Sequence, residues 1–285
     1  QNTFTGAKWI VEGDIKACFD SFDHHVLIDL LRRRIEDEYF ISLMWKFLRA
    51  GYMEQWVYHK TYSGTPQGSG MSPILANIYL SELDRFMEQY KERFDVGGKK
   101  RRVTKEYSRL NGRHERLRKK YNAVKDTLPE TERKELSKQL RQVQLEKLRL
   151  PPYPAQDASY KRIQYNRYAD DFVIGVIGSK ADAEQIKSDI KVFLRDTLHL
   201  TLSEEKTKVT HSSKPIRYLG YDFSVMRDNS FKRNTKGLLQ RTWNHRVKLT
   251  MPYEKWFGKL LEYGALKIKK DENGSERWKT VHRGY

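Results

Sequence analysis

Tyr168-Ala169-Asp170-Asp171 sets two carboxylates side by side in a stretch whose flanks read as β-strand. Gln164 to Arg167 leads in, and Phe172-Val173-Ile174-Gly175-Val176-Ile177 leads out. Aspartate is a poor strand former, so the pair is predicted at the turn of a tight hairpin. Two carboxylates crowded at such a tip repel each other, and each pKa rises unless a cation neutralises them. Mg2+ is the hard cation that oxygen ligands of this kind take. A dicarboxylate on a hairpin tip suits two-metal phosphoryl transfer once a third carboxylate reaches it from elsewhere in the chain.

The pattern around the tip predicts the elements that hold it. Trp9-Ile10-Val11-Glu12-Gly13-Asp14-Ile15 reads as a short buried strand with Asp14 near its end. Asp20 or Asp23 caps a helix over about residues 24–35, with Leu27, Leu30 and Leu31 on one face. Residues 39–50 keep helical spacing through Phe40, Leu43, Met44, Phe47 and Leu48 until Gly51. Trp56 to Tyr62 is aromatic and β-branched and reads as a strand or hairpin. Gly64 to Met71 is a Gly-rich loop, after which Ser72 as N-cap and Pro73 at the first helical position open a helix. Its apolar face carries Leu75, Ile78, Tyr79, Leu83, Phe86 and Met87. Ser179 to Asp182 has the form of a capping box before a helix through Ala183, Ile186, Ile190, Phe193 and Leu194. Leu200 to Leu202, Lys208 to Thr210 and Ile216 to Phe223 read as three further strands. The order predicts an α+β fold, an antiparallel sheet with helices on one face.

Charge adds a second clue. The 285-residue chain carries a net charge of +18, which favours a polyanionic partner, nucleic acid before membrane. Residues 91–150 hold 20 Lys and Arg against nine Asp and Glu, so this segment supplies +11 of that excess. It reads as a basic helical insertion at the surface, closed by Pro151, Pro152 and Pro154. Lys99, Lys100, Arg101, Arg102, Arg116, Arg118, Lys119 and Lys120 are dense enough to pair with phosphates. Cys18 is the single cysteine and reads as a small buried hydrophobe. That excludes a disulfide framework and a Cys-rich zinc site and suits a reducing, cytoplasmic setting. His24-His25 lacks metal-ligand spacing and reads as the first turn of a helix. No run approaches the ~18 apolar residues of a membrane helix, so no membrane partner is expected. The chain shows no signal-peptide pattern, begins without Met, and reads as a piece of a longer protein.

Five strings, in order, resemble the motifs of the reverse transcriptase/maturase encoded within group II introns. Glu12-Gly13-Asp14-Ile15-Lys16-Ala17-Cys18-Phe19-Asp20 is similar to the first catalytic motif. Gly64-Thr65-Pro66-Gln67-Gly68, continued by Ser72-Pro73-Ile74-Leu75-Ala76-Asn77-Ile78-Tyr79-Leu80, is similar to the second. Tyr168-Ala169-Asp170-Asp171 resembles the third, Leu202-Ser203-Glu204-Glu205-Lys206-Thr207 the fourth, and Arg217-Tyr218-Leu219-Gly220 the primer grip.

The resemblance implies a polymerase palm and an RNA-directed DNA polymerase acting by two-metal nucleotidyl transfer. Asp14 and Asp170 would bind two Mg2+ ions, with Asp171 helping and the Ile15 carbonyl as a further ligand. Phe19 would be a steric gate against a ribose 2′-hydroxyl. Gln67 and Gly68 would lie along the incoming dNTP and template. Lys206 would protonate pyrophosphate as a general acid. Arg217, Tyr218, Leu219 and Gly220 would grip the DNA primer. The insertion would hold group II intron RNA, assisting splicing and retrohoming, and a homodimer is compatible with the family. The expected organisation is palm and partial fingers over 1–250, with 24–66 fingers-like and 91–155 the basic insertion. Residues 251–285 would begin a truncated thumb (maturase) domain. The Lys- and Arg-bearing fingers motifs would precede Gln1, so this piece alone is expected to be weakly active or inactive. Two alternatives stay open: an RNA-binding splicing factor on a polymerase scaffold, and a reverse transcriptase of another retroelement class.

Overall fold

The computed structural model describes residues 4–54, 56–59, 63–65, 70–154, 157–226, 230–235, 237, 239–241, 246–270 and 276–281. In chain order, β1 (Trp9–Asp14) is followed by α1 (His24–Arg32), α2 (Glu38–Arg49), β2 (Tyr52–Glu54), β3 (Val57–His59) and the long α3 (Ser72–Phe94). Next come α4 (Lys105–Val124), α5 (Glu130–Arg149), β4 (Arg162–Tyr168), β5 (Asp171–Ile177), α6 (Lys180–Leu198) and β6 (Lys208–His211). The last part holds β7 (Ile216–Tyr218), β8 (Tyr221–Val225), β9 (Phe231–Arg233), β10 (Leu239–Arg241), β11 (Val247–Thr250), α7 (Tyr253–Glu262), β12 (Leu266–Lys270) and β13 (Glu276–Thr280).

The central sheet has the order β4-β5-β1-β6, and every neighbouring pair is antiparallel. β5 is apolar at successive positions because both its faces are covered. Phe172, Ile174 and Val176 join Val11 and Ile163 against α3 and α6, through Leu75, Tyr79, Leu83, Ile186, Ile190 and Leu194. Val173 and Ile10 face the other way and meet Ile216 and Phe223. Helices therefore cover one face as expected. The opposite face carries part of a second sheet, ordered β11-β8-β7.

The caps explain where the helices begin. Asp23 accepts hydrogen bonds from the His25 and Val26 amides at the start of α1, and Asp37 does the same for α2. The Ser179–Asp182 capping box is formed. α3 differs from expectation: Ser72 is already helical, Met71 stands at the N-cap, and no side-chain cap bond forms. Tyr79 ties α3 to α6 by donating its hydroxyl to the Leu198 carbonyl at 2.7 Å.

Two other expectations change. Ile216 to Phe223 is a hairpin and not one strand, because Leu219 (φ 50°) and Gly220 (φ 79°) turn the chain through the left-handed region. Leu200 to Leu202 contributes only the isolated bridge of Leu202 with Ile15. Beyond α7, β12 pairs antiparallel with β13, two strands not predicted from the sequence. The strand expected over Trp56 to Tyr62 is β3, paired with β2, while residues 60–62 lie outside the described residues.

Candidate active site

β4 and β5 pair through Tyr168 and Asp171, so the turn between them is Ala169-Asp170. Ala169 has φ 54°, the left-handed first position that a II′-type hairpin requires. Asp170 stands on the turn, while Asp171 is the first residue of β5 and not a loop residue. The antiparallel register then sets Asp14, the last residue of β1, directly opposite Asp171. Cross-strand partners share a face, and this is the face of Ile10 and Val173, away from the helices.

The two carboxyls interact. Burial, then repulsion from Asp170 and Asp14, then a hydrogen bond with Asp14 all raise the Asp171 pKa above the ordinary carboxylate value. Asp14 in turn holds the Lys206 ammonium 3.0 Å from Oδ2. That contact raises the Lys206 pKa, through the hydrogen bond first and then the charge of Asp14. Ile15 follows in a bridge whose hydrogen bonds join Lys16 N–H to the Thr201 carbonyl and Ser203 N–H to the Asp14 carbonyl. Neither of these two bonds uses the Ile15 carbonyl.

Among the described residues, no three His, Cys, Asp or Glu side chains stand together as a formed cation cluster. The built unit is the Asp14–Asp171 pair, with Asp170 beside it on the turn. Its donors suit a hard divalent ion: they are oxygens only, two of them face each other across the strand pair, and one already draws a cation.

Phe19 lies in the short 3-10 turn Cys18–Asp20, which follows Ala17 in the left-handed region at φ 46°. Its ring is half-buried and packs edge-on against Phe22. The primer-grip string occupies the β7-β8 hairpin. Tyr218 donates its hydroxyl to Asn166 Oδ1 at 2.9 Å, over the same sheet face as the carboxylates. Burial first, then the charge of Asp171, raises the Tyr218 pKa. Arg217 pairs with Asp222 at 3.0 Å and Glu254 at 3.4 Å, and Leu219 is exposed at the tip. Gln67 and Gly68 lie outside the described residues.

The family described as reverse transcriptase (RNA-dependent DNA polymerase) matches residues 1–103 and 134–223. The chain belongs to the reverse transcriptase family. It is 44% identical over 282 residues to the group II intron-encoded protein LtrA of Lactococcus lactis subsp. cremoris, covering 99% of this chain and 45% of that protein. It is 38% identical over 227 residues to a putative COX1/OXI3 intron 1 protein of Saccharomyces cerevisiae, covering 79% of this chain and 25% of that protein. The chain thus spans less than half the length of these relatives. Among solved structures, apo telomerase from Candida tropicalis aligns with a TM-score of 0.44 and 11% identity, over 79% of this chain and 32% of that one.

A clamp behind the hairpin of this reverse transcriptase was not visible in its motifs. Arg167 points to the helix face, is 8% exposed, and makes a two-pronged pair with Asp84 of α3, Nε–Oδ1 2.8 Å and Nη2–Oδ2 2.6 Å. Tyr165 also donates to Asp84, at 2.9 Å. Arg167 Nη1 reaches the Ala169 carbonyl at 2.9 Å and Asn77 at 3.3 Å, so α3 holds the left-handed turn in place. A signal for it is the pair of polar residues Asn77 and Asp84, close to two turns apart on the helix that underlies the sheet.

The reverse transcriptase match leaves out residues 104–133, which hold α4. Lys99, Lys100, Arg102, Arg116, Arg118, Lys119 and Lys120 are exposed. Arg118 pairs with Glu115 at 2.9 Å. Arg101 is different: it pairs with Asp157 at 3.2 Å and lies over the Tyr153 ring, clamping the base of the helical pair. Sequence clustering missed Arg109 and Arg113. They form with Arg116 and Lys120 an exposed row at i, i+4, i+7 and i+11 of α4, a helical spacing that could have revealed it. Among the described residues no helix is long and apolar enough to cross a membrane.

Proposed function

We propose that this chain is the RNA-directed DNA polymerase domain of a group II intron-encoded protein, extending a DNA primer on an RNA template with dNTPs. The Asp14–Asp171 cross-strand pair, with Asp170 on the adjoining turn, carries the reading. Asp14 and Asp170 hold two Mg2+ ions, with Asp171 and the Ile15 carbonyl assisting. When bound, those ions supply activation of the primer 3′-hydroxyl and charge neutralisation at the triphosphate. Phe19 bars a ribose 2′-hydroxyl, and Gln67 with Gly68 lines the nascent base pair. The β7-β8 hairpin, with Arg217, Tyr218, Leu219 and Gly220, steadies the primer strand. Lys206 neutralises Asp14, and it protonates pyrophosphate only after leaving that carboxylate. The exposed row on α4, together with Lys99, Lys100, Arg102, Arg118 and Lys119, binds intron RNA in support of splicing and retrohoming. A reducing compartment such as the cytoplasm suits the free, buried Cys18.

Primer extension on an RNA template with dNTPs and Mg2+ tests the reading, using the chain, the full-length protein and Asp170→Asn in each. We expect Asp170→Asn to lose at least ~100-fold in rate; extension at the parental rate would remove Asp170 from the site. Replacing Arg109, Arg113, Arg116 and Lys120 with Gln should weaken RNA binding and flatten its salt dependence. An unchanged slope would take the α4 row out of the RNA interface.

A further inference from the structure

The turn that carries Phe19 does not stand alone. Four hydrogen bonds lace residues 19–24 to residues 63–65. Thr65 N–H donates to the Phe19 carbonyl at 2.7 Å, and Gly64 N–H to the Phe22 carbonyl at 2.8 Å. The Ser63 hydroxyl donates to the Asp20 carbonyl at 2.8 Å. In return, His24 Nε2 reaches the Gly64 carbonyl at 2.7 Å. A carbonyl only accepts, so Nε2 carries the proton.

This contact is backbone on backbone. Gly64 has φ 74°, and a Cβ there would stand 2.3 Å from the Phe19 carbonyl oxygen. The Phe19 turn is three residues long, enters from left-handed Ala17, and has no longer helix of its own to stiffen it. Residues 63–65 are its buttress. His24 is the side chain that reaches back to hold that buttress. It is buried at the first position of α1, a helix already fixed by its Asp23 cap, and its ring stands edge-on to Trp45. Removing its donor would leave the Gly64 carbonyl buried without that partner, a loss the backbone relieves by shifting.

A steric gate discriminates only as well as its backbone is held, because a slack of about 1 Å turns a clash into a tolerated contact. We propose that His24 is a specificity-determining positioning residue: by holding the Gly64 carbonyl it fixes the Phe19 turn, and so sets selection of deoxynucleotides over ribonucleotides. The proposal rests on the reading of Phe19 as the sugar gate.

The test is single-nucleotide incorporation by the full-length protein, comparing kcat/KM for a dNTP and the matching rNTP. The variants are His24→Phe, which keeps the ring but not the donor, His24→Gln, whose amide N–H falls near the position of Nε2, and Phe19→Val. We expect His24→Phe to lower the dNTP-over-rNTP ratio about five- to tenfold, with recovery in His24→Gln. A variant that merely loosens the fold lowers both substrates alike and leaves the ratio unmoved. Should His24→Phe not fold, His24→Asn, whose amide is too short to reach Gly64, carries the same comparison. A collapse of selectivity in Phe19→Val with an unmoved ratio in His24→Phe overturns the role of His24 and leaves the gate standing. An unmoved ratio in Phe19→Val overturns both.

Discussion

The ring of Phe172 lies over Gly13, its cross-strand partner in the β1-β5 pair, and fills the space a side chain at residue 13 would need. A Cβ there would stand 2.0 Å from Phe172 Cζ. The next rung of the same ladder is Asp14 opposite Asp171. An aromatic ring covering a glycine thus sets the spacing of the strands immediately beside the carboxylate pair. Gly13→Ala should destabilise the fold by about 1–3 kcal/mol through overpacking, and should cut primer extension further by displacing Asp14. Adding Phe172→Leu should recover part of both losses. Thermal unfolding and extension rates of the two single variants and the double variant measure the coupling; strictly additive losses would mean that the ring does not set the spacing.

The Asp84–Arg167 clamp makes a separate claim about the turn. Breaking one side leaves a mostly buried guanidinium without its carboxylate, which should cost about 2–3 kcal/mol. Asp84→Asn should therefore lower the urea midpoint without changing the slope of the transition. Ala169→Gly should act in the opposite direction, because glycine accepts the left-handed φ of 54° without a Cβ clash. If Asp84→Asn unfolds at the parental urea concentration, the clamp contributes nothing to stability.

Cys18 sits under the carboxylates. Burial first, then the negative charges of Asp170 and Asp14, push its thiol up to about 12. At pH 8 only about one thiol in ten thousand is then ionised, against roughly a quarter for a free cysteine. Iodoacetamide at pH 8 should leave the folded protein unlabelled and label it fully in denaturant. Rapid native labelling, read by mass spectrometry, would mean that Cys18 is not buried beneath the site.

The α4-α5 pair should respond to acid. His114 is buried between the helices; burial first, then the charge of nearby Lys147, lowers its pKa below the usual histidine value, with Glu115 opposing and Arg118 adding to the effect. The unfolded chain then binds the proton more readily than the folded one. Stability is therefore greatest above pH about 6.5 and falls as pH drops below that value toward the folded pKa. His114→Leu should flatten the dependence of the melting temperature on pH between about 7.5 and 5.5. A wild-type protein whose melting temperature is constant over that range would contradict a buried neutral His114.

Much of the scaffold is written locally. The acidic doublet between two β-branched runs marks a hairpin tip, because aspartate resists the strand and the flanking residues favour it. Asp23 and the Ser179–Asp182 box declare helix starts, because each side chain bonds amides two or three residues away. Leu219-Gly220 reads as part of one strand, since the aromatic residues on both sides mask a two-residue turn.

Local order names Asp170 and Asp171, but it does not set their neighbours. Pattern alone could not say that Asp171 belongs to the strand, or that Asp14 stands opposite it, since that depends on which of several possible registers β1 adopts. The motif resemblance groups Asp14 with the doublet by analogy; the tertiary structure sets it opposite Asp171 by pairing. Arg167 with Asp84, 83 residues apart, and His24 with Gly64, 40 apart, are wholly products of folding. A side chain's conformational preference is felt by its near neighbours in the chain, whereas a hydrogen bond or ion pair needs its partner within about 3 Å in space. Sequence therefore determined which residues were equipped for chemistry, and packing of the sheet on α3 and α6 decided which of them meet.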